Sequence, residues 1–272
     1  MIADRLTDLR RHFDSVYRRN YGATIIGRLA RQSFGDPATA AFEATGFLGP
    51  GDQRRFLKIL DSCCGSQRRP LVLLDLGCGN ARLGEWLAHG LRFDYCGMDF
   101  SPAAIRIARS LRRRNGTRRR LLCTDFTDLS RVRDQAAGAA FSLDSLYLAA
   151  DPAAALQTLT RVMVRGAPLF LTVYSPSRRA NGQPAYARPR QWRAALSGAG
   201  FAGCSMEDRT EAWCETMRIK HKLRWAHRDE ILREMGTDLG SAELSVTRAI
   251  LGIGCRSTLV SLKRYEILAL RR

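Results

Sequence analysis

The sequence predicts an α/β fold built on a mostly parallel sheet of seven strands with helices on both faces. Three observations predict it. From residue 71 onward, short apolar runs of strand type alternate with helical patterns. The first four of those runs each end in or just before an acid, at Asp75, Asp99, Asp125 and Asp144. About fifty residues of helical pattern then separate the last two strands. That is too long for a hairpin loop and reads as a helical lid at about 211–263, inserted before the final strand.

Each element has its own local reason. Residues 1–60 read as interrupted helix, because Leu6, Leu9, Phe13 and Val16–Tyr17 recur at helical spacing, as do Phe56, Leu57 and Leu60. Between them "FEATGFLGPGD" is a turn-rich break. "LVLLDL" is a buried strand running into the Gly-rich "GCGNARLG", with a helix over 82–89. "FDYCGMDF" is a second strand. In the following "SPAAIRIARSLRRR", Ser101 is the N-cap, Pro102 the first helical residue, and arginines fill the last turn. "RLLCTDF" is a third strand ending at Asp125–Phe126, and "AAFSLDSLYL" carries a fourth. Asp151–Pro152 opens the helix "DPAAALQTLTRVM", "APLFLTVYS" is a fifth strand, and "RQWRAALSGAGF" is a helix stopped by glycine. "AGCSMEDRT" makes a short sixth strand. "EAWCETMRIKHKLRWAHRDEILREMG" and "SAELSVTRAILGIGCRSTLVSLK" read as lid helices, and "RYEILAL" as the last strand. The expected organisation is an N-terminal helical cap over 1–60 and the sheet-bearing unit over 61–272.

Composition bounds the function classes. No run reaches the roughly 18 apolar residues of a membrane span. Charged residues follow Met1–Asp8 where a secretory signal would be apolar, so a soluble cytoplasmic protein is expected. The eight cysteines include no C-x-x-C pair and no Cys/His cluster of metal-ligand spacing, so they read as reduced thiols and no metal is expected. Lys and Arg total 44 against 26 acids, a formal net charge of +18. Only Lys58, Lys220, Lys222 and Lys263 are lysines. A basic chain of this kind suits nucleic acid, acidic lipid or an anionic substrate.

The chemistry gathers at the strand ends, because ligands of open α/β sheets sit beyond the carboxyl ends of the strands. Gly77 and Gly79 let the backbone approach a ligand with no Cβ in the way. The third glycine of the dinucleotide pattern G-x-G-x-x-G falls on Arg82, against a nicotinamide cofactor. Asp99, 20 residues beyond Gly79, is placed to accept from both hydroxyls of a ribose.

With these residues in place, residues 70–175 resemble the class I S-adenosylmethionine-dependent methyltransferases. The resemblance implies a Rossmann-like sheet with the last strand antiparallel, and S-adenosylmethionine as cofactor. It implies a cofactor site of Asp75, Gly77, Cys78, Gly79, Asp99, Phe100, Asp125 and Phe126. Within it, Asp75 lies near the methionyl ammonium, Asp125 accepts from the adenine amino group, and Phe126 supplies ring or backbone contact. The third small position of the loop is Ala81, a mild departure. The fourth strand carries neither the N-P-P-Y tetrad nor a Pro-Cys pair of base-modifying enzymes. "SLDSLYLAAD" instead resembles members acting on small molecules or peptides, with Asp144 orienting the acceptor or serving as base and Tyr147 lining the pocket.

Tyr174, His221 and His227 are further candidate bases or orienters, and Tyr17 and Tyr21 are placed to close over the methionine moiety. Arg178, Arg179, Arg188, Arg190 and Arg193 follow the fifth strand on the same edge and suit an anionic acceptor. Arg112–Arg114 and Arg118–Arg120 fall at the opposite edge, where they compensate a helix end. The expected function is methyl transfer to N, O or C of a small molecule or peptide. An RNA methyltransferase and a non-catalytic partner protein of the same fold are the alternatives.

Overall fold

The computed structural model describes residues 2–18, 25–34, 50–64, 71–111, 118–176, 188–252 and 262–272. Three helices come first: α1 (Ile2–Arg18), α2 (Ile25–Phe34) and α3 (Pro50–Cys64). The alternating part follows as β1 (Val72–Leu76), α4 (Arg82–Leu91), β2 (Asp94–Asp99), α5 (Pro102–Ser110), β3 (Arg119–Cys123) and β4 (Ala137–Leu143). It continues through α6 (Pro152–Val162), β5 (Pro168–Pro176), α7 (Pro189–Gly198) and β6 (Phe201–Asp208). The segment read from sequence as a lid forms α8 (Thr210–Ala226), α9 (Arg228–Met235) and α10 (Thr237–Leu251), and β7 (Leu262–Arg271) follows.

The seven strands form one sheet in the order β3-β2-β1-β4-β5-β7-β6. Strands β1 to β5 pair in parallel, and β7 lies antiparallel between β5 and β6. The strand order therefore reverses between β1 and β4, which fixes where a ligand crevice opens. The predicted caps form as written: Ser101 Oγ accepts from Ala104 N–H on α5, and Asp151 accepts from Ala153 and Ala154 N–H on α6. The third strand stops at Cys123, two residues short of the predicted end, because Asp125 turns the chain by accepting from Thr127 N–H and hydroxyl. The sixth strand runs over eight residues, starting one residue earlier than expected at Phe201 and stopping at Asp208, and it lies along β7. The lid pattern breaks at His227 into α8 and α9. Of the predicted helix over 241–263, α10 accounts for the part ending at Leu251, whereas Leu262 and Lys263 are strand, paired with Pro176 and Ser175 of β5. The turn-rich break before Pro50 lies outside the described residues.

Packing puts a layer of side chains on each sheet face. One cluster holds Leu74, Leu76, Met98, Phe126, Leu156, Leu171, Trp192 and Ile267, all buried. The other holds Leu73, Leu87, Tyr95, Phe141 and Phe170 together with Phe56 and Leu60 of α3. The Phe56 ring meets those of Phe141 and Phe170 at 5.4 and 4.2 Å between centroids, so α3 is part of this layer. A boundary at residue 60 falls inside that helix. Ile25, Ile26 and Leu29 of α2 pack with Ile231 of α9 and Leu244 of α10, making a third, smaller cluster.

Candidate functional site

At the carboxyl end of β1, Gly77 and Gly79 turn the chain at positive φ (85° and 52°), which glycine adopts at no steric cost. The N–H groups of Gly77 and Cys78 both donate to the Met98 carbonyl, at 2.8 and 2.9 Å, binding the loop to β2. Asp99 completes the turn. Its Oδ2 accepts from Gly79 N–H and its Oδ1 from Ser101 N–H, each at 2.9 Å. Burial raises the Asp99 carboxyl to about 6, against the downward pull of those two backbone bonds.

Asp75 faces inward beneath this loop. Tyr95 hydroxyl donates to its Oδ2 at 2.7 Å, and burial holds its carboxyl at about 8 despite that bond. The Cys78 thiol next to it is pushed well up, first by burial and then by Asp75 and Asp99. On the outer side Phe100 lies between Phe13 and Phe126, edge to face with each, at 5.7 and 6.4 Å. Asp125 spends one oxygen on its own turn at Thr127.

Helix α1 crosses this edge. Asp14 accepts from Ser101 hydroxyl and from Ala103 N–H, so a side chain of α1 caps the start of α5. A Cβ on Gly79 would overlap the Tyr17 hydroxyl, so Tyr17 lies directly over the glycine turn. Tyr21 lies outside the described residues.

A second group forms one strand further along, at the ends of β4, β5 and β7. Asp144 sits at φ 55°, a left-handed conformation that Asp tolerates better than most residues. That turn brings Ser145 against the loop, where a Cβ on Gly77 would overlap it. It also aims the Asp144 carboxylate at Thr172 hydroxyl, 2.8 Å away, and at Arg264 Nη2, 3.0 and 3.1 Å away. The sheet register explains this meeting, since Leu143 pairs with Thr172 on β5, and Tyr174 pairs with Arg264 on β7. The Arg264 guanidinium stacks over the Tyr174 ring at 5.7 Å.

Tyr147, Tyr174 and Trp213 continue the wall, with centroids 5.7 and 5.1 Å apart in sequence. Burial, followed by Asp144, drives both tyrosine hydroxyls far above their ordinary range. Helix α8 covers the group. It is anchored where Asp208 accepts from Thr210 N–H and Arg264 N–H donates to Thr210 Oγ1. Its inward stripe is Trp213, Met217, Lys220 and Arg224, at intervals of four, three and four residues. Lys220 is lowered to about 7, by burial first and then by Arg224 and Arg264.

The two predicted groups thus sit side by side: the loop residues with Asp99, Phe100 and Phe126, and the set of Asp144, Tyr147 and Tyr174. His221 joins neither, for its Nδ1 lies 3.1 Å from Thr247 Oγ1 on α10 and its ring stacks on Trp225. His227 lies at the α8–α9 junction beside Glu230. Of the loop arginines, Arg178 and Arg179 lie outside the described residues. Arg188 precedes α7, Arg190 is exposed, and Arg193 reaches the Cys204 carbonyl at 3.4 Å. Arg119 does compensate a helix end: its guanidinium takes Glu85 and the Ala108 and Leu111 carbonyls past α5.

Sequence reasoning missed Tyr95, Thr172, Lys220 and Arg264. Lys220 left one weak signal, being one of only four lysines in an arginine-rich chain. Arg264 left none, because its partner is 120 residues away.

Residues 74–171 match the family model of a methyltransferase domain. No curated protein matches the chain. Among solved structures, phosphoethanolamine N-methyltransferase 2 of Haemonchus contortus, bound to phosphomonomethylethanolamine and S-adenosylhomocysteine, is 15% identical with a TM-score of 0.72. The match covers 95% of this chain and 60% of that one, so this chain spans about three fifths of the relative's length. The cyclopropane synthase MmaA2 of Mycobacterium tuberculosis is 13% identical over 96% of this chain and 98% of its own, with a TM-score of 0.67. The [4+2]-cyclase SpnF is 21% identical over 81% of each chain, with a TM-score of 0.63. Likeness at these identities establishes the fold. The presence of a cyclase among its bearers leaves the reaction to be argued from the site.

Proposed function

We propose that this chain, whose residues 74–171 match the family model of a methyltransferase domain, is a class I S-adenosylmethionine-dependent enzyme that transfers a methyl group to a small-molecule acceptor. One observation carries the reading. Asp99 is locked to Gly79 at the reversal of strand order, making a glycine cradle walled by Phe100 and Phe126. These residues fit the cofactor: bare backbone for close approach, a buried carboxylate for hydroxyl groups, and aromatic rings for an adenine. When bound, S-adenosylmethionine supplies a methyl group already activated by the sulfonium.

The chain's own task is to orient the acceptor and exclude water. Tyr147, Tyr174 and Trp213 would hold the acceptor's apolar surface, one residue away from the loop through Ser145. Asp144 is committed to Arg264 and Thr172, so its role is to set the shape of this wall and to position the guanidinium. Tyr17 on α1 would close the cofactor side.

Binding of S-adenosylhomocysteine tests the reading directly. Wild-type protein is expected to melt several degrees higher with the ligand, and Asp99→Ala to lose at least tenfold in affinity by calorimetry while keeping its far-ultraviolet circular dichroism. A folded wild-type protein with no shift at millimolar ligand would overturn it.

A further inference from the structure

We infer that Tyr95 is a positioning residue of the cofactor site, holding Asp75 beneath the glycine turn as counter-charge for the cofactor's ammonium; this rests on the methyl-transfer reading. Tyr95 starts below the turn, for it pairs with Leu73 of β1 whereas Asp75 pairs with Gly97. Its ring runs up the sheet face between two glycines. A Cβ on Gly84 of α4 would overlap both the Tyr95 ring and Asp75 Oδ2. A Cβ on Gly97 of β2 would overlap the Tyr95 hydroxyl and lie 3.0 Å from Cys78 Cβ, an atom of the turn itself. Two elements thus omit a side chain where one phenol passes. Its hydroxyl ends under the turn, 2.7 Å from Asp75 Oδ2.

What this pair lacks is a cation. Among the described residues Asp75 takes one hydrogen bond, from Tyr95, and no Lys, Arg or His forms an ion pair with it. On β2 its other neighbours are Asp99, an acid, and Cys96, a thiol that burial pushes up to about 11. Cys78 of the turn is likewise pushed well up and stays neutral. Glu85 of α4 is already matched by Arg119 of β3, at 2.9 Å. On the other side β4 presents Phe141. A carboxyl 4% exposed in this company keeps its proton up to about pH 8. An ammonium arriving at the turn supplies the missing positive charge and displaces that proton. Tyr95 prepares the exchange: its bond favours the ionised carboxyl and occupies Oδ2, which leaves Oδ1 to accept from the ligand.

Calorimetry on the full chain with two probes tests this: S-adenosylhomocysteine, and methylthioadenosine, which shares the adenosine and thioether but has no amino-acid tail. At about pH 7.5, Tyr95→Phe is expected to weaken S-adenosylhomocysteine binding about tenfold, the worth of one hydrogen bond to a charged group, and to leave methylthioadenosine binding unchanged. In wild type the ratio of the two affinities should rise severalfold from about pH 6.5 to 8, as Asp75 loses its proton more readily. In Tyr95→Phe that rise should move to higher pH, because the bond favouring the ionised carboxyl is gone. Any change from Asp99 falls on both probes and cancels in the ratio. Asp75→Asn should weaken S-adenosylhomocysteine alone, and adding Tyr95→Phe to it should cost nothing further. That last comparison decides the matter even where Tyr95→Phe by itself does not fold. Equal loss of both probes, unchanged S-adenosylhomocysteine binding, or a further loss in the Asp75→Asn background would overturn the inference and leave the methyl-transfer reading standing. A folded wild type that binds neither probe would overturn that reading, and the inference with it.

Discussion

Asp75 shows how a residue can be placed correctly by sequence and still have its chemistry set by a neighbour. The strand pattern puts it at the end of β1. Nothing local announces Tyr95, which comes across from β2 to donate to it, or Gly84 of α4, which leaves room for both side chains. Burial in this company raises the carboxyl to about 8, Tyr95 pulling it down and Asp99 pushing it up. An unfolded Asp ionises near 3.9. Between about pH 4 and 8 the unfolded chain has lost a proton that the folded chain keeps. The stability gained from a neutral Asp75 is therefore full below about pH 4 and is lost as pH rises through about 8. Urea unfolding at pH 5, 6, 7 and 8 should show wild-type stability falling by an amount on the order of a few kcal/mol attributable to this group. Asp75→Asn should flatten the decline, and parallel profiles for the two proteins would contradict the assignment. The same lesson holds at Asp144. Its strand-end position was legible from "FSLDSLYL", but its commitment to Arg264 depends on an antiparallel register formed 120 residues later.

The elements were legible where their own residues set the boundary. Ser101–Pro102 and Asp151–Pro152 start α5 and α6 as the capping chemistry requires. Tertiary pairing decided the rest: β7 begins at Leu262, before the expected Arg264, because it lies along β5 as far as Pro176, and α2 packs on α9 and α10 through Ile25, Ile26 and Leu29. Docking of α1 is a case that sequence periodicity alone could not supply. Asp14 reaches out of its own helix to cap another, accepting from Ser101 hydroxyl and Ala103 N–H. This anion at the N-terminus of α5 is worth about 1 kcal/mol, by analogy with an N-cap and with the helix dipole. Asp14→Ala should therefore barely move the melting temperature of the whole protein. Local opening of α1 should become about five times more frequent, since 1 kcal/mol is roughly that ratio. Limited trypsin digestion, followed by mass spectrometry at Arg10, Arg11 and Arg18, should show faster cleavage there than in wild type. Unchanged rates at those sites would mean that Phe13 and Tyr17 hold the helix without Asp14.

At the scale of the molecule, α3 is tied to the last two strands by an alternating set of charges. Glu266 of β7, 7% exposed, takes Arg55 of α3 directly and lies 3.8 Å from Arg209, which follows β6. Arg209 in turn holds Asp52 of α3 at 3.0 Å and Glu207 of β6 at 3.1 Å, and Arg55 also meets Glu207. No sequence pattern could have shown this, since its members come from residues 52–55, 207–209 and 266. It completes what Phe56 begins on the face of the sheet, and makes α3 structurally part of the sheet unit. Position within the network decides what each carboxylate contributes. Glu207 is 52% exposed, so its ion pairs are screened and worth well under about 1 kcal/mol. Glu266 is enclosed between two guanidinium groups that lose their counter-charge if it is neutralised. Removing one partner of such a set costs about 3–5 kcal/mol when all members are buried, and here about 2 because Arg55 and Arg209 are 32% and 24% exposed. Glu266→Gln keeps the shape and removes the charge, and for a chain of this size should lower the melting temperature by about 4–8 °C. Glu207→Gln should lower it by less than about 2 °C. Thermal unfolding followed by circular dichroism separates the two. Equal small losses would show that α3 is held by Phe56 and Leu60 alone, and equal large ones that the exposed half of the network matters as much as the buried half.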